Sequence, residues 1–280
     1  MKLLDVNTTL NCNGTLLSLE KPIVMGILNV TPDSFFDGGK HHSAHLMLLQ
    51  VEKMLSEGAS IIDIGGMSSR PGAEFVSEEE EFKRVIPTIQ AILKEFSNII
   101  LSVDTWRAGI AKASVEAGAG IINDISGGQY DSDLLKMVAT LRVPYILMHI
   151  KGTPKDMASQ AHYTNISDEI LTYFIEKLAI LTNLGVKDVI LDLGFGFGKN
   201  LDHNYELLKN MDAFKILGLP MLAGVSRKSM IYKYLDVLPE NALNGTTALH
   251  VIALQQGAKI LRAHDVKEAI EVIQLTEKLK

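Results

Sequence analysis

The chain has 280 residues, 47% of them hydrophobic and 21% charged, which is ordinary globular composition and enough length to bury a large core without disulfides or metal clips. A net charge of −6 leaves no global basic field to hold nucleic acid or an anionic membrane, and no apolar run approaches the roughly 20 residues that cross a bilayer. The single cysteine, Cys12, has no internal partner, and Met1-Lys2-Leu3-Leu4-Asp5 turns polar too early for a secretory leader, so a cytoplasmic setting is expected.

In chain order the first expected element is a hairpin within residues 1–20: Leu4 to Leu10, an Asn13-Gly14 turn, then Thr15 to Leu19. Short β-type runs then recur at 23–28, 60–64, 99–103, 120–122, 143–148, 188–191, 219–223 and 258–261. Helical stretches separate them, among them 43–57, 78–96, 106–117, 168–184 and 243–256. Val85, Ile89, Ile92 and Leu93 have the spacing of one buried helix face. The β-type runs are almost wholly apolar rather than alternating, as parallel strands covered on both faces should be. Eight βα units with no Pro/Ser-rich linker predict a TIM-type (β/α)8 barrel with a short N-terminal hairpin, one domain over residues 1–280. An open doubly wound sheet fits the same pattern.

The residues that close these runs are Asn29, Asp63, Asp104, Asn123 with Asp124, His149, Asp192, Ser226-Arg227-Lys228, and Arg262 with His264. Helix capping accounts for a lone Asp or Asn, but Arg, Lys and His are poor N-caps. In a parallel barrel all of them meet at the C-terminal face, where active sites of this fold lie. Carboxylates and cations together suit a substrate that carries a hydrogen-bonding heterocycle and an anion. Arg70, Lys228, Arg262 and His264 are the cations available for that anion, and Arg70 sits in the small-residue turn Ser68-Ser69-Arg70-Pro71-Gly72. Gly194-Phe195-Gly196-Phe197-Gly198-Lys199-Asn200 looks like a phosphate loop but has Asn200 where that motif needs Ser or Thr. It suggests instead a close backbone approach to a flat ligand, with Phe195 or Phe197 available for stacking. The eight histidines show no zinc spacing.

Taken together these segments resemble dihydropteroate synthases. Met25 to Phe35 (MGILNVTPDSF) looks like the first signature of that family, and Asp63 to Ala73 (DIGGMSSRPGA) resembles the second. Val103-Asp104-Thr105, Ile122-Asn123-Asp124, Met148-His149, Asp192 to Lys199, Gly224 to Ser229 and Arg262-Ala263-His264-Asp265 follow in family order. Met67 stands where the family usually has Glu, Ser69 where it has Thr, Leu193 where it often has Pro, and Ala263 where it often has Val.

The resemblance implies a Mg2+-assisted transferase of folate biosynthesis, a sulfonamide target, that joins p-aminobenzoate to 6-hydroxymethyl-7,8-dihydropterin pyrophosphate. It implies a pterin pocket of Asp104, Asn123, Asp192 and Lys228, with Met148 and Phe197 against the ring. It implies magnesium at Asn29, and pyrophosphate on Arg70, Arg262 and His264. The p-aminobenzoate site would comprise Thr31, Pro32, Asp33, Ser34 and Phe35 with Ser226 and Lys228. Ser69 would keep the polar contact of the family Thr, and Asp33 would face a pterin cation formed in an SN1-like substitution. A homodimer is implied too, with 243–256 and 266–279 as candidate interface helices. Two alternatives share the pterin contacts: a pterin-dependent corrinoid methyltransferase, and a non-catalytic pterin-binding relative.

Overall fold

In the computed structural model, which describes residues 8–30, 40–67 and 76–279, the chain opens with the expected hairpin. β1 (Thr9–Cys12) and β2 (Thr15–Ser18) pair antiparallel, with Cys12 opposite Thr15. Asn13 and Gly14 both have positive φ, 52° and 91°, as a two-residue type I′ turn requires. The expected start at Leu4 lies outside the described residues.

Eight strands follow: β3 (Ile23–Asn29), β4 (Ile61–Gly65), β5 (Ile100–Asp104), β6 (Ile121–Asp124), β7 (Tyr145–Met148), β8 (Val189–Asp192), β9 (Met221–Ala223) and β10 (Ala258–Ala263). All neighbours pair in parallel, and β10 closes on β3, so the sheet is a closed barrel rather than an open doubly wound one. Two strands begin two residues later than the apolar runs suggest, where four others begin one residue later. Pro144 and Pro220 have no N–H to give the ladder, so β7 starts at Tyr145 and β9 at Met221, while the proline carbonyls accept from Ile122 and Leu191 at 3.0 and 2.9 Å. Several strands also run on to include the polar residue read as their terminator, notably Asn29, Asp104 and Asp192.

The outer ring comprises α1 (Lys40–Ser56), α2 (Glu78–Glu95), α3 (Ala108–Glu116), α4 (Leu134–Leu141), α5 (Ile166–Asn183), α6 (Leu201–Lys209), the single turn α7 (Ser229–Tyr232), α8 (Leu243–Gln255) and α9 (Val266–Glu277). Local chemistry sets their starts. Ser77 Oγ accepts from Glu80 N at 3.1 Å, and four glutamates fill the first turn of α2, where the helix dipole favours negative charge. Asn165 caps α5 and moves its start to Ile166, two residues before the expected one. α3 begins at Ala108 instead of Trp106, because Arg107 N donates to Thr105 Oγ1 at 3.2 Å in a non-helical turn.

Strand residues divide cleanly between two cores. Ile62, Ile64, Leu101, Val103, Ile122, Tyr145, Leu147, Val189 and Leu191 join the shell between sheet and helices. Met25, Ile61, Ile100, Ile121, Ile146, Ile190, Leu222 and Ile260 fill the barrel interior, where Leu10, Cys12, Leu17 and Leu19 of the hairpin region pack against them. The hairpin therefore plugs the N-terminal end of the barrel, and the C-terminal end is left for chemistry.

Candidate active site

The inward face of each strand changes character near its C-terminus. Two residues beyond the buried isoleucines stand Asp63, Asn123, Met148, Asp192, Gly224 and Arg262. Strand register aligns Asn29 with Gly65, Gly65 with Asp104, and Asp104 with Asn123 around one side of the barrel mouth. Met148 aligns with Asp192 on the other side. Asp104, Asn123, Ile125, Met148, Asp192, Phe197, Gly224, Lys228 and Arg262 line a cavity there that opens to solvent. Ile125, Met148 and Phe197 belong to a separate apolar cluster at this end, so the cavity has one greasy wall and one charged wall.

The charged wall is a network centred on Asp63, which is fully buried. Its Oδ2 accepts from Arg262 Nε at 2.7 Å and from Asn123 Nδ2 at 3.0 Å. Arg262 Nη2 reaches on to Asp104 Oδ2 at 3.1 Å. The Arg262 fork is thus aimed by two carboxylates, and the Asn123 amide is oriented so that its Oδ1 remains an acceptor for a ligand. Asp192 Oδ1 accepts from Gly194 N at 2.8 Å, which fixes the carboxylate plane. Gly224 keeps the opposite side open: a Cβ there would lie 3.8 Å from both Asp192 Oδ2 and Lys228 Nζ. Lys228 donates to Phe195 O and stands 4.6 Å from the Phe197 ring centroid.

Burial shifts Asp104, Asp192 and Lys228 away from their charged forms. The Asp104 carboxyl is pushed up to about 7, although Arg262 pulls it down. Asp192 is raised by the same burial, against the pull of Lys228. Lys228 is lowered to about 8 by burial, with Asp192 restraining the shift. A cavity of this kind favours a ligand that supplies N–H donors to the carboxylates and the amide oxygen, and acceptors to the cations.

The remaining residues singled out from the sequence fall nearby or outside view. Ser226 does not line the cavity; its Oγ lies 3.2 Å from His264 Nδ1 and accepts from His264 N at 3.2 Å. Asn29 ends β3 with its Oδ1 beside Gly65, where an added Cβ would come to 3.5 Å. Thr31, Pro32, Asp33, Ser34, Phe35, Ser69 and Arg70 lie outside the described residues. The two phenylalanines of the glycine-rich segment part company: Phe195 is fully buried in the outer core, and Phe197 alone faces the cavity. Asp63 and Lys199 are functional neighbours that the sequence reading left without a role. Asp63 was visible as one of the polar strand ends, but its link to Arg262 spans 199 residues.

The chain also stands among close relatives. The profile of the "Pterin binding enzyme" family matches residues 25–264. The dihydropteroate synthase of Escherichia coli K12 is 47% identical over 266 residues, 94% of each chain. That of Bacillus subtilis is 43% identical, covering 92% of this chain and 88% of the relative. Among solved structures, Yersinia pestis dihydropteroate synthase in a sulfonamide complex superposes with a TM-score of 0.91 at 44% identity over 97% of this chain and 98% of the other. Xanthomonas albilineans dihydropteroate synthase in complex with 7,8-dihydropteroate gives 0.86 at 37% identity, over 97% and 98%. The match extends over nearly the whole length in both sequence and fold, and the chain belongs to the dihydropteroate synthase family of transferases.

Proposed function

We propose that the 280 residues act as one pterin-binding barrel domain that condenses 6-hydroxymethyl-7,8-dihydropterin pyrophosphate with p-aminobenzoate, giving 7,8-dihydropteroate and pyrophosphate. The observation that carries this reading is the pairing of buried carboxylate and amide acceptors with Lys228 and Arg262 in one cavity. A pterin offers its 2-amino and N3–H edge as two parallel donors, which suits Asp192, and a mixed edge that suits Asn123. Met148 and Phe197 would pack on the ring. Supporting the choice of substrates, relatives have been solved with 4-aminobenzoic acid and with dihydropteroate.

The reaction breaks the bond between the pterin methylene and the pyrophosphate oxygen. Negative charge grows on the departing oxygen, and Arg70, Arg262 and His264 would stabilise it electrostatically. The dihydropterin ring spreads the positive charge left on the methylene, so the substitution is SN1-like, with Asp33 facing that cation. The p-aminobenzoate nitrogen, neutral at pH 7, then attacks and loses a proton, and needs no strong base. Thr31, Pro32, Ser34, Phe35, Ser226 and Lys228 would hold the second substrate, and Ser69 would keep the polar contact of the family Thr.

A magnesium ion fits Asn29 on chemical grounds. Its amide is a hard oxygen donor, and Gly65 leaves the neighbouring space unfilled. Among the described residues no group of three His, Cys, Asp or Glu side chains could hold a metal, so the other ligands would be pyrophosphate oxygens and water. Bound there, the ion supplies charge neutralisation to the leaving group.

A homodimer is the proposed assembly. Ile252 on α8, with Leu275 of α9 and the following Leu279, is 38%, 70% and 79% exposed, so both candidate interface helices carry aliphatic side chains that a partner could cover. No helix among the described residues is long and apolar enough to cross a membrane, and the lone Cys12 accords with a cytoplasmic setting.

The test is pyrophosphate release from the pterin pyrophosphate with magnesium, with and without p-aminobenzoate. Release that depends on p-aminobenzoate, with dihydropteroate formed, is the expected result. Tight pterin binding without turnover would overturn the catalytic reading.

A further inference from the structure

Lys199 is the most deeply buried lysine described at this end of the barrel, 8% exposed, yet it does not line the cavity. Its Nζ lies 2.9 Å from Gly194 O, 3.0 Å from Phe197 O, 3.0 Å from His149 Nδ1 and 3.3 Å from His149 O. Burial, reinforced by the charge of Lys199, holds the His149 ring well below the usual imidazole range, so it is neutral and its Nδ1 is the acceptor. Burial depresses Lys199 well below the usual lysine range, and what holds its proton against that is the match between the three donors of an ammonium and three acceptors within 3.0 Å. Among the described residues these partners are carbonyls and a ring nitrogen rather than carboxylates. Residues 194–198 are wound round a buried cation much as an irregular loop is wound round a metal ion.

That loop touches the cavity at several points. Phe197 forms part of its wall, Phe195 O accepts from Lys228 Nζ, and Gly194 N donates to Asp192 Oδ1 at 2.8 Å. His149 N donates to Asp192 O at 3.1 Å, so the two partners of Lys199 also bracket Asp192. The loop has little slack. Gly194, Gly196 and Gly198 hold φ of 69°, 83° and 64°, and a Cβ on Gly194 would collide with His149 O. Gly196 N is held by Asn204 Oδ1 at 2.6 Å and Gly198 O by Tyr163 Oη at 2.9 Å. With Lys199 removed, three carbonyls and an imidazole nitrogen would lose their common donor inside a water-poor site.

We propose that Lys199 is a positioning residue: its ammonium fixes residues 194–198 and thereby sets where Phe197 and Lys228 stand against a bound pterin ring. This rests on the pterin reading of the cavity given above. Lys199 touches no reacting atom and acts through the backbone it gathers.

The experiment compares wild type, Lys199→Ala and Lys199→Met, with KM measured separately for the two substrates. KM for the pterin pyrophosphate should rise about tenfold or more, by the cost of losing charge-assisted bonds, with a clearly smaller rise for p-aminobenzoate. Added n-propylammonium should restore part of the loss in Lys199→Ala, where the side chain has left room, and none in Lys199→Met, where the space is filled. A pterin KM within about twofold of wild type in either folded variant would overturn the proposal. So would a lowered melting temperature with equal changes in both KM values, since a purely structural lysine behaves in that way. If Lys199→Ala does not fold, Lys199→Met decides by the same ratio. If wild type itself shows no turnover, the catalytic reading is what has failed. Calorimetric titration of 6-hydroxymethylpterin then judges Lys199 alone: binding about tenfold weaker in Lys199→Met supports the role, and equal binding overturns it.

Discussion

At the N-terminal end of the barrel the inward side chains are Ile61, Ile100, Ile121, Ile146, Ile190, Leu222 and Ile260. Two residues further along the same strands they become Asp63, Ser102, Asn123, Met148, Asp192, Gly224 and Arg262. The step is about 6.6 Å along a strand, yet it takes the interior from a dry aliphatic plug to a network of buried charges. The lower end gains stability from every apolar group it covers, on the order of 1.5–3 kcal/mol for each large side chain. The upper end works the other way. Burial pushes Asp104 and Asp192 up and Lys228 and Lys199 down, and among the described residues Asp63 Oδ1 is buried without a hydrogen-bond partner. A ligand with matching donors and acceptors satisfies these groups, and a mismatched one leaves them buried and unpaired, which is a source of selectivity.

The sharpest way to break this contrast is at Arg262, the group that ties Asp63 to Asp104. Arg262→Ala should lower kcat/KM by about a thousandfold or more, since on the proposed mechanism it removes a charge from the departing pyrophosphate, and it also releases two buried carboxylates. Steady-state pyrophosphate release checks this, and a loss under tenfold would show that the network is scaffolding. At the lower end the expectation reverses. Leu10→Ala should cost about 2–5 kcal/mol of stability, because Leu10 is fully buried in the plug, while both KM values stay within about twofold. Denaturant unfolding and steady-state kinetics on one preparation measure both.

A smaller effect comes from pH. In the free enzyme Asp104 titrates near 7 and Lys228 near 8, so kcat/KM should follow a narrow bell, falling below about 7 as Asp104 loses its charge and above about 8 as Lys228 loses its own. Lys228→Arg should move the alkaline limb upward if it retains activity. The stability signs follow from the same shifts. Asp104 has a folded value raised above its ordinary 3.8, so the folded state binds the extra proton, and this contribution to stability is lost as pH rises towards 7. Lys228 is depressed from 10.5, so its burial costs stability below about 8 and the cost fades as pH rises through 8 to 10.5. Asp104→Asn should therefore flatten the stability profile between about 4 and 7. A melting profile of unchanged slope there would contradict the assignment.

Much of this division could be read in the sequence, and the reasons for the rest are physical. Eight apolar runs ending in polar residues gave the barrel and its working face, because parallel strands buried on both sides leave that pattern. The two late strand starts come from Pro144 and Pro220, which sit inside apolar runs and act only through a missing N–H. The motif order gave the membership of the cavity, as with Asp104, Asn123 and Asp192. It could not give the pairings inside it. Asp63 and Arg262 lie on neighbouring sides of β3, and Lys199 meets His149 fifty residues away in sequence, so both links exist only once the barrel has closed. Lys199 was further disguised, since its glycine-rich surroundings look like a phosphate loop while the lysine points inward to carbonyls.

The smallest effect tests whether the two ends are independent. Cys12 is a buried part of the plug, and burial, with the charge of Asp188 adding to it, pushes its thiol up to about 12. Roughly one thiol in ten thousand is ionised at pH 8, so an aromatic disulfide reagent should label the native protein only when the hairpin opens. Leu10→Ala should speed that labelling, because it weakens the packing that keeps the hairpin closed. A saturating pterin ligand separates two routes. If the hairpin opens alone, the ligand leaves the rate unchanged, because both forms bind it equally. If opening requires the barrel mouth to come apart, the ligand slows labelling by the factor by which it stabilises the native state. The apolar layer of isoleucines between Cys12 and the cavity favours the first outcome, with rates equal within about twofold with and without ligand.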